Sequence, residues 1–372
     1  MNYKRITALI CILFAMIFGI VACGGSESNE TIEIEDSSED DGLTVIGFSQ
    51  PGAESDWRVA HTESVKSAFT EENGYKLIYK DAQSKLENQI KDVRAFIQQG
   101  VDIIILSPLV ETGWDSVLEE ARQAGIPVLI TDRLVDVEDD SLYLAYIGSD
   151  FLAEGQKATS LVESYLESEE YQSRLTTIEV IADGESEEYT TSLKTIPYVT
   201  GDTFDVVHIR GTEGSSAEMG RTQALMEAIA AHEDWNLLAQ ANGDFNKAKA
   251  YEAMKGILRN GEIDNSTIDM VYCDNDNEAY GVIDALKEAG LSYGVNGQII
   301  IVSFDGCRAA LKMCQAGEIN YIIECNPLQG QELLAICNAQ KTGGYFEKLT
   351  YIRENYFYPE KLTDDFIAAR EY

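Results

Sequence analysis

From residue 43 onward, short apolar runs alternate with stretches in which apolar side chains recur at helical spacing. Residues 44–49, TVIGFS, predict a buried strand. Residues 57–72 carry Val59, Val65, Ala68 and Phe69 on one helical face and stop at Asn73-Gly74. Strands follow over 76–82, 102–108, 126–132 and 142–148. Between them lie helices over 86–100, with Ile90, Val93 and Ile97 on one face, and 113–124. After a helix over 151–167 the pattern resumes, with strands over 177–183, 205–211, 236–243, 269–275, 299–305 and 321–326. The helices between and after them cover 215–231, 246–259, 276–289, 308–316 and 328–341. Continuous apolar strands joined by helices predict parallel sheets covered on both faces. At least ten strands exceed what one sheet comfortably holds, so the fold class is α/β, two doubly wound parallel-sheet lobes joined by a hinge. The break falls near Gly148, and residues 184–203 interrupt the period as an inserted loop or hairpin.

In open parallel sheets, ligands bind beyond the carboxyl ends of the strands. Those ends carry Phe48, Ser49 and Gln50, then the loop Ser55-Asp56-Trp57-Arg58. Further along come Asp132-Arg133, Arg221 after the Gly211–Gly214 turn, Asp244-Phe245, Asp274-Asn275-Asp276, Asp305 and Glu324. Taken singly, Asp244, Asp274 and Asp276 are ordinary helix N-caps, Arg133 a surface ion-pair partner, and Trp57 a helix-packing residue. As a set at corresponding strand ends they are poorly explained by chance. Carboxylates and amides accept hydroxyl protons, arginine donates in a fixed fork, and aromatic faces cover apolar ring faces. A polyol uses all three.

The N-terminus adds a targeting expectation. MNYKR is basic, residues 6–22 are apolar, and Val21-Ala22-Cys23-Gly24-Gly25 resembles a bacterial lipobox in which Cys23 receives the lipid. Residues 1–22 are thus expected as a signal peptide and 23–42 as a lipid-anchored linker. Residues 24–42 hold eight acidic residues and no basic one, the composition of a tether. The whole chain of 372 residues carries 28 Lys+Arg against 64 Asp+Glu, a net charge of −36. Such a surface repels phosphate backbones, so nucleic acid is excluded as a partner. Five cysteines lie beyond the lipobox, an odd number without Cys-x-x-Cys. They are expected as small buried thiols, although one pair could oxidise outside the cell.

At Phe304-Asp305-Gly306, Asn275-Asp276, Gly243-Asp244-Phe245 and Asp132-Arg133 the chain resembles the sugar-binding proteins of ABC importers. These are the ribose- and galactose-binding kind with the type I periplasmic binding protein fold. The runs ESDWR (54–58), ENQIKDVRAFIQQGVD (87–102), SPLVETGW (107–114) and DRLVDVEDDSLYL (132–144) resemble the galactofuranose-binding branch in particular. The resemblance covers about 43–360. It implies that Phe48, Trp57, Arg58, Asp132, Arg133, Arg221, Phe245, Asn275 and Asp305 line the cleft, with Glu324 near the hinge facing the sugar. It implies a first lobe over 43–148 completed by roughly 326–350, and a second over 149–325 completed by roughly 351–372. It further implies a monosaccharide ligand, an ABC permease as partner, an extracytoplasmic lipid-anchored monomer, and neither cofactor nor metal. The 184–203 insertion is longer than the family carries there.

Two other classes of function compete. A lipid-tethered sensor would present the same closed, sugar-bound form to a membrane receptor. A glycoside-acting enzyme could use Asp132 and Asp305 as a carboxylate pair. The chain has three histidines, no metal-binding spacing of them, no Gly-x-Ser-x-Gly and no phosphate loop. Opposing arginines are expected to keep both carboxylates ionised and so deny an acid role.

Overall fold

The computed structural model of the chain describes residues 42–169, 171 and 203–372. The expected leader, acidic linker and lipidated Cys23, the strand over 177–183 and all of the insertion but Thr203 lie outside the described residues.

Apolar runs that are buried on both faces become the central strands of two sheets. The first sheet contains β1 (Thr44–Gln50), β2 (Tyr75–Asp81), β3 (Ile103–Leu106), β4 (Val128–Asp132) and β5 (Ala145–Gly148). A late strand, β11 (Leu349–Tyr351), completes it in the order β11-β5-β4-β3-β1-β2, with every pairing parallel. The second contains β6 (Phe204–Arg210), β7 (Trp235–Asn242), β8 (Ile268–Cys273), β9 (Ile300–Asp305) and β10 (Tyr321–Glu324). The two-residue strand β12 (Tyr356–Phe357) closes its edge antiparallel to β10, giving β12-β10-β9-β8-β6-β7.

Helices cover both faces of each sheet. The first lobe uses α1 (Asp56–Ala68), α2 (Leu86–Gln99) and α3 (Asp115–Gln123). The second uses α4 (Phe151–Leu166), α5 (Ser216–Ala231), α6 (Lys247–Leu258), α7 (Asp276–Ala289) and α8 (Arg308–Gln315). α9 (Gly330–Thr342) returns to the first lobe and packs on α1, while α10 (Asp364–Ala369) packs on α8. Each sheet has an apolar layer on either side, for example Ile46, Phe48 and Leu333 on one face of the first sheet and Phe96, Ile104 and Trp114 on the other. The chain passes between the sheets three times: after β5, after β10, and between β11 and β12.

The structure shortens several expected elements for local reasons. The helix expected over 57–72 ends at Ala68, and Glu71–Asn73 form a separate 3-10 turn whose N-cap Thr70 accepts from the Asn73 N–H. The strand expected from 142 starts at Ala145, because Asp139 accepts from the Ser141 N–H and winds Asp140–Leu142 into a turn. All five cysteines among the described residues are buried and unpaired, so no pair of them is oxidised.

Candidate functional site

The carboxyl ends of both sheets face one narrow cavity lined mostly by buried side chains. The first lobe supplies Trp57, Arg58, Asp132 and Arg133, and the second supplies Phe151, Arg221, Phe245, Asn275 and Asp305, with Cys325 contributed by the segment after β10. The lobes are closed on each other around it. The Asp56 N–H donates to Asn277 Oδ1 at 3.0 Å, the Glu111 N–H to the Gly214 carbonyl at 2.9 Å, and the Leu134 N–H to Ser216 Oγ at 2.8 Å.

Ser55 starts α1 by accepting from the Arg58 N–H, which turns Trp57 and Arg58 into the cavity. The Trp57 indole N–H donates to the Cys325 carbonyl at 2.7 Å, tying the first helix to the second crossing segment. Three strand-end residues, Asp132, Phe245 and Asp305, have φ of 65°, 57° and 101°, a region that side chains with Cβ rarely adopt. Backbone of that kind concentrates at ligand sites, where surrounding structure holds it in place. At Asp132 the hold is Gln329, whose Oε1 accepts from the Asp132 N–H at 3.2 Å and Thr131 Oγ1 at 2.6 Å.

The charges form balanced groups. Arg58 pairs with Asp132 at 2.6 Å and with Glu54 at 3.0 Å, and Arg133 reaches Glu54 at 3.2 Å. Arg221 pairs with Glu154 at 2.7 Å and donates to the Asp274 carbonyl. Burial pushes the Asp132 carboxyl up, but the Arg58 and Arg133 guanidiniums outweigh it and hold the group below its usual range. At Asp305 the balance reverses. Burial and then the Asp276 carboxylate raise it well above the ordinary value, and Arg221 does not offset them. The expectation that arginines keep both carboxylates ionised therefore holds at Asp132 and fails at Asp305, which has no guanidinium in an ion pair with it among the described residues. Asp305 Oδ2, Arg133 Nε and Glu54 Oε2 are buried without a hydrogen-bond partner.

Of the residues singled out in the sequence, Trp57, Arg58, Asp132, Arg133, Arg221, Phe245, Asn275 and Asp305 meet at this cavity. Asn275 also caps α7, accepting from the Glu278 N–H at 2.8 Å. Phe48, Gln50 and Glu324 are placed elsewhere. Phe48 and Gln50 share one face of β1, where Phe48 packs against His61 and Tyr79 and Gln50 donates to the Tyr79 hydroxyl. Glu324 ends β10 with both oxygens occupied, one by Arg370 and Tyr372, the other by Asn355, and its neighbour Cys325 reaches the cavity in its place. Glu54, Phe151, Ala217 and Cys325 complete the wall without having been singled out. Phe151 opens the helix after β5, so the strand-end rule would have found it had Gly148 been searched as a strand end as well as a lobe boundary.

Two doubly wound lobes, three crossings and a polar cavity between strand ends define a hinged solute-binding protein. The chain belongs to the periplasmic binding protein domain family, which matches residues 46–344. It is 35% identical to the galactofuranose-binding protein YtfQ of Escherichia coli K12 over 322 residues, 86% of this chain and 90% of that one. A Mycobacterium smegmatis structure in complex with β-D-fucofuranose is similar at TM-score 0.72 and 33% identity, covering 86% of this chain and 92% of that one. So is the periplasmic binding component of the arabinose ABC transporter of Shewanella sp. ANA-3, bound to α- and β-L-arabinofuranose. It has TM-score 0.70 and 35% identity, with coverages of 86% and 93%.

Proposed function

We propose that the chain is an extracytoplasmic solute-binding lipoprotein, anchored through Cys23, that encloses one neutral furanose-form monosaccharide and delivers it to an ABC permease. The observation that carries this reading is the charge balance of the cavity. Each of its three guanidiniums is already paired with a carboxylate, Arg58 and Arg133 with Glu54 and Asp132, and Arg221 with Glu154. No spare cation remains among them for a phosphate or an acid, whereas oriented donors and acceptors remain for hydroxyls. Trp57, Phe151 and Phe245 supply apolar surface for ring carbons. The furanose preference rests on the similarity to the galactofuranose-, fucofuranose- and arabinofuranose-binding proteins.

The ligand would enter between open lobes, and closure would remove water from both partners. A buried donor or acceptor left without its hydroxyl costs about 1–3 kcal/mol, so the site rejects deoxy analogues. The test is calorimetry and thermal shift with galactofuranose, L-arabinofuranose and D-fucofuranose, with ribose, galactopyranose and a sugar phosphate as competitors. The expected result is saturable stabilisation by at least one furanose and none by the phosphate. Stabilisation by the phosphate alone, or by no sugar, overturns the reading. Carboxyl groups shifted in opposite directions, as at Asp132 and Asp305, are also what a glycosidase pair displays. Nitrophenyl furanosides belong in the same experiment, and turnover of any of them replaces binding with catalysis.

A further inference from the structure

Behind the cavity the three crossing segments converge on one carboxyl group. Glu354, in the third crossing, accepts from Ser149 Oγ of the first at 2.6 Å and from the Asn326 N–H of the second at 2.8 Å, both at Oε1. Lys157 of α4 donates to the Glu354 carbonyl at 3.2 Å, and Cys325 Sγ lies 3.3 Å from Ser149 Oγ. Facing Glu354 from α4 is Glu154, nearly fully buried, whose Oε2 is taken by Arg221 and whose Oε1 has no hydrogen-bond partner. Oxygens of the two carboxyl groups and Cys325 Sγ lie within 4.8 Å of one another. One guanidinium, Arg221, neutralises one carboxylate, and the Lys157 ammonium is committed to a backbone carbonyl. Two ionised carboxylates here leave one negative charge without a counterion.

We propose that Glu354 carries a proton donated to Glu154 Oε1, and that this shared proton holds the three crossings in the closed arrangement and fixes Arg221 at the cavity wall. The hydrogen completes the unpartnered Glu154 oxygen and removes the excess charge in one step. Glu354 is then a positioning residue: it acts on ligand through Glu154 and Arg221. Burial, followed by the Glu154 charge, pushes the Glu354 carboxyl up to about 9, in the same sense as the geometry. If opening hydrates the group and restores an ordinary carboxyl value, closure takes up a proton. Affinity then declines as pH rises, with one proton setting a ceiling of about tenfold per pH unit. Asp305 and the Cys325 thiol also face this cluster, and burial pushes both well up; the thiol adds no charge below the Glu354 range, and the Asp305 carboxyl shifts in the same direction as Glu354.

The proton belongs to the closed form, so its test rests on the sugar-binding reading; a sugar that binds while every glutamate titrates ordinarily sinks the proton and leaves that reading standing. Carboxyl-labelled glutamate NMR on the sugar-saturated protein reads it directly. The expected result is one glutamate titrating far above the rest and lost in Glu354→Gln. All glutamates titrating in the ordinary range, or a high signal that survives Glu354→Gln, overturns the proposal. So does stoichiometric zinc in the purified protein that disappears with the same substitution, which would make the cluster a metal site. With a bound sugar, calorimetry in buffers of different ionisation enthalpy should show close to one proton more taken up by wild type than by Glu354→Gln. The glutamine variant should bind with an affinity that falls less steeply as pH rises, whereas Glu354→Ala should bind weakly at every pH. Equal proton uptake by wild type and Glu354→Gln overturns it.

Discussion

The Trp57 indole lies flat on the His61 imidazole, ring centroids 5.1 Å apart and planes 9° from parallel. One turn of α1 separates them, so the wall of the cavity is backed by a second ring from the same helix. His61 Nε2 is 3.4 Å from Thr131 Oγ1, and Nδ1 has no partner. Burial, with the Arg58 charge adding to it, lowers the imidazole to about 3. The ring is therefore neutral at any physiological pH and serves as apolar backing.

A histidine with a depressed value destabilises the fold on acidification, because the unfolded chain binds a proton that the folded chain refuses. The contribution is fully present above about pH 6.5 and is lost as pH falls from there toward 3, at up to about 1.4 kcal/mol per pH unit. His61→Phe keeps a flat ring and removes the titration. Denaturant unfolding at pH 7, 5.5 and 4.5 should show the variant losing less stability than wild type across that series. Parallel losses would mean that His61 protonates without resistance.

Asp132 holds two guanidiniums, Arg58 at 2.6 Å and Arg133 at 3.8 Å, and accepts from Ser107 Oγ at 3.0 Å. Asp132→Asn leaves those buried cations short of charge. Breaking a buried pair from one side costs about 3–5 kcal/mol. Urea unfolding of the ligand-free protein should show a loss of that order, partly recovered in Asp132→Asn with Arg58→Gln. A loss below about 1 kcal/mol would show that Glu54 alone compensates both arginines.

The alternation of apolar runs and helical spacing was enough to read five of the six strands of each sheet, because most of them are short continuous apolar runs bounded by helices. Strand ends then led to eight of the cavity residues. What failed was parity and sharing. Phe48 and Gln50 come from a strand end, yet their side chains point under α1, and a run that is apolar throughout does not show which residues face the ligand. Glu324 and Cys325 are adjacent at the end of β10, and it is Asn355, Arg370 and Tyr372, far along the chain, that draw Glu324 away. Such long-range pairing has no local signature. The short strands β11 and β12 were equally illegible, at three and two residues long with much of their surface exposed.

The thiols test the proposed processing of the N-terminus. Cys273, Cys307, Cys314, Cys325 and Cys337 are buried and unpaired, and burial raises each thiol above its ordinary value. The native protein purified from membranes should be nearly silent toward a thiol reagent. In denaturant it should titrate five thiols of the seven in the sequence, with Cys11 removed and Cys23 blocked by lipid. Six or seven would contradict lipidation at Cys23, and three would reveal an oxidised pair.

Gly211 follows β6 and lies directly behind the Phe245 ring. A Cβ at that position would sit 2.0 Å from Phe245 Cζ and 2.2 Å from Cε1, closer than any side chain tolerates. Phe245 cannot retreat by moving its backbone. Its N–H donates to Glu278 Oε1 at 2.8 Å, Asn275 Nδ2 donates to its carbonyl at 3.3 Å, and its φ is already 57°. The ring must rotate instead, and on its other side lie the cavity and Arg133, whose guanidinium carbon is 5.0 Å from the ring centroid. Gly211→Ala should therefore cost about 1–3 kcal/mol in stability through overpacking. A similar loss in binding energy corresponds to an affinity about ten to a hundred times weaker. Gly256, exposed on α6 with open space around its Cα, is the control. Gly256→Ala should stabilise by about 0.4–1 kcal/mol and leave affinity untouched. Wild-type affinity in Gly211→Ala, measured by calorimetry beside that control, would show that the Phe245 ring does not bear on the ligand.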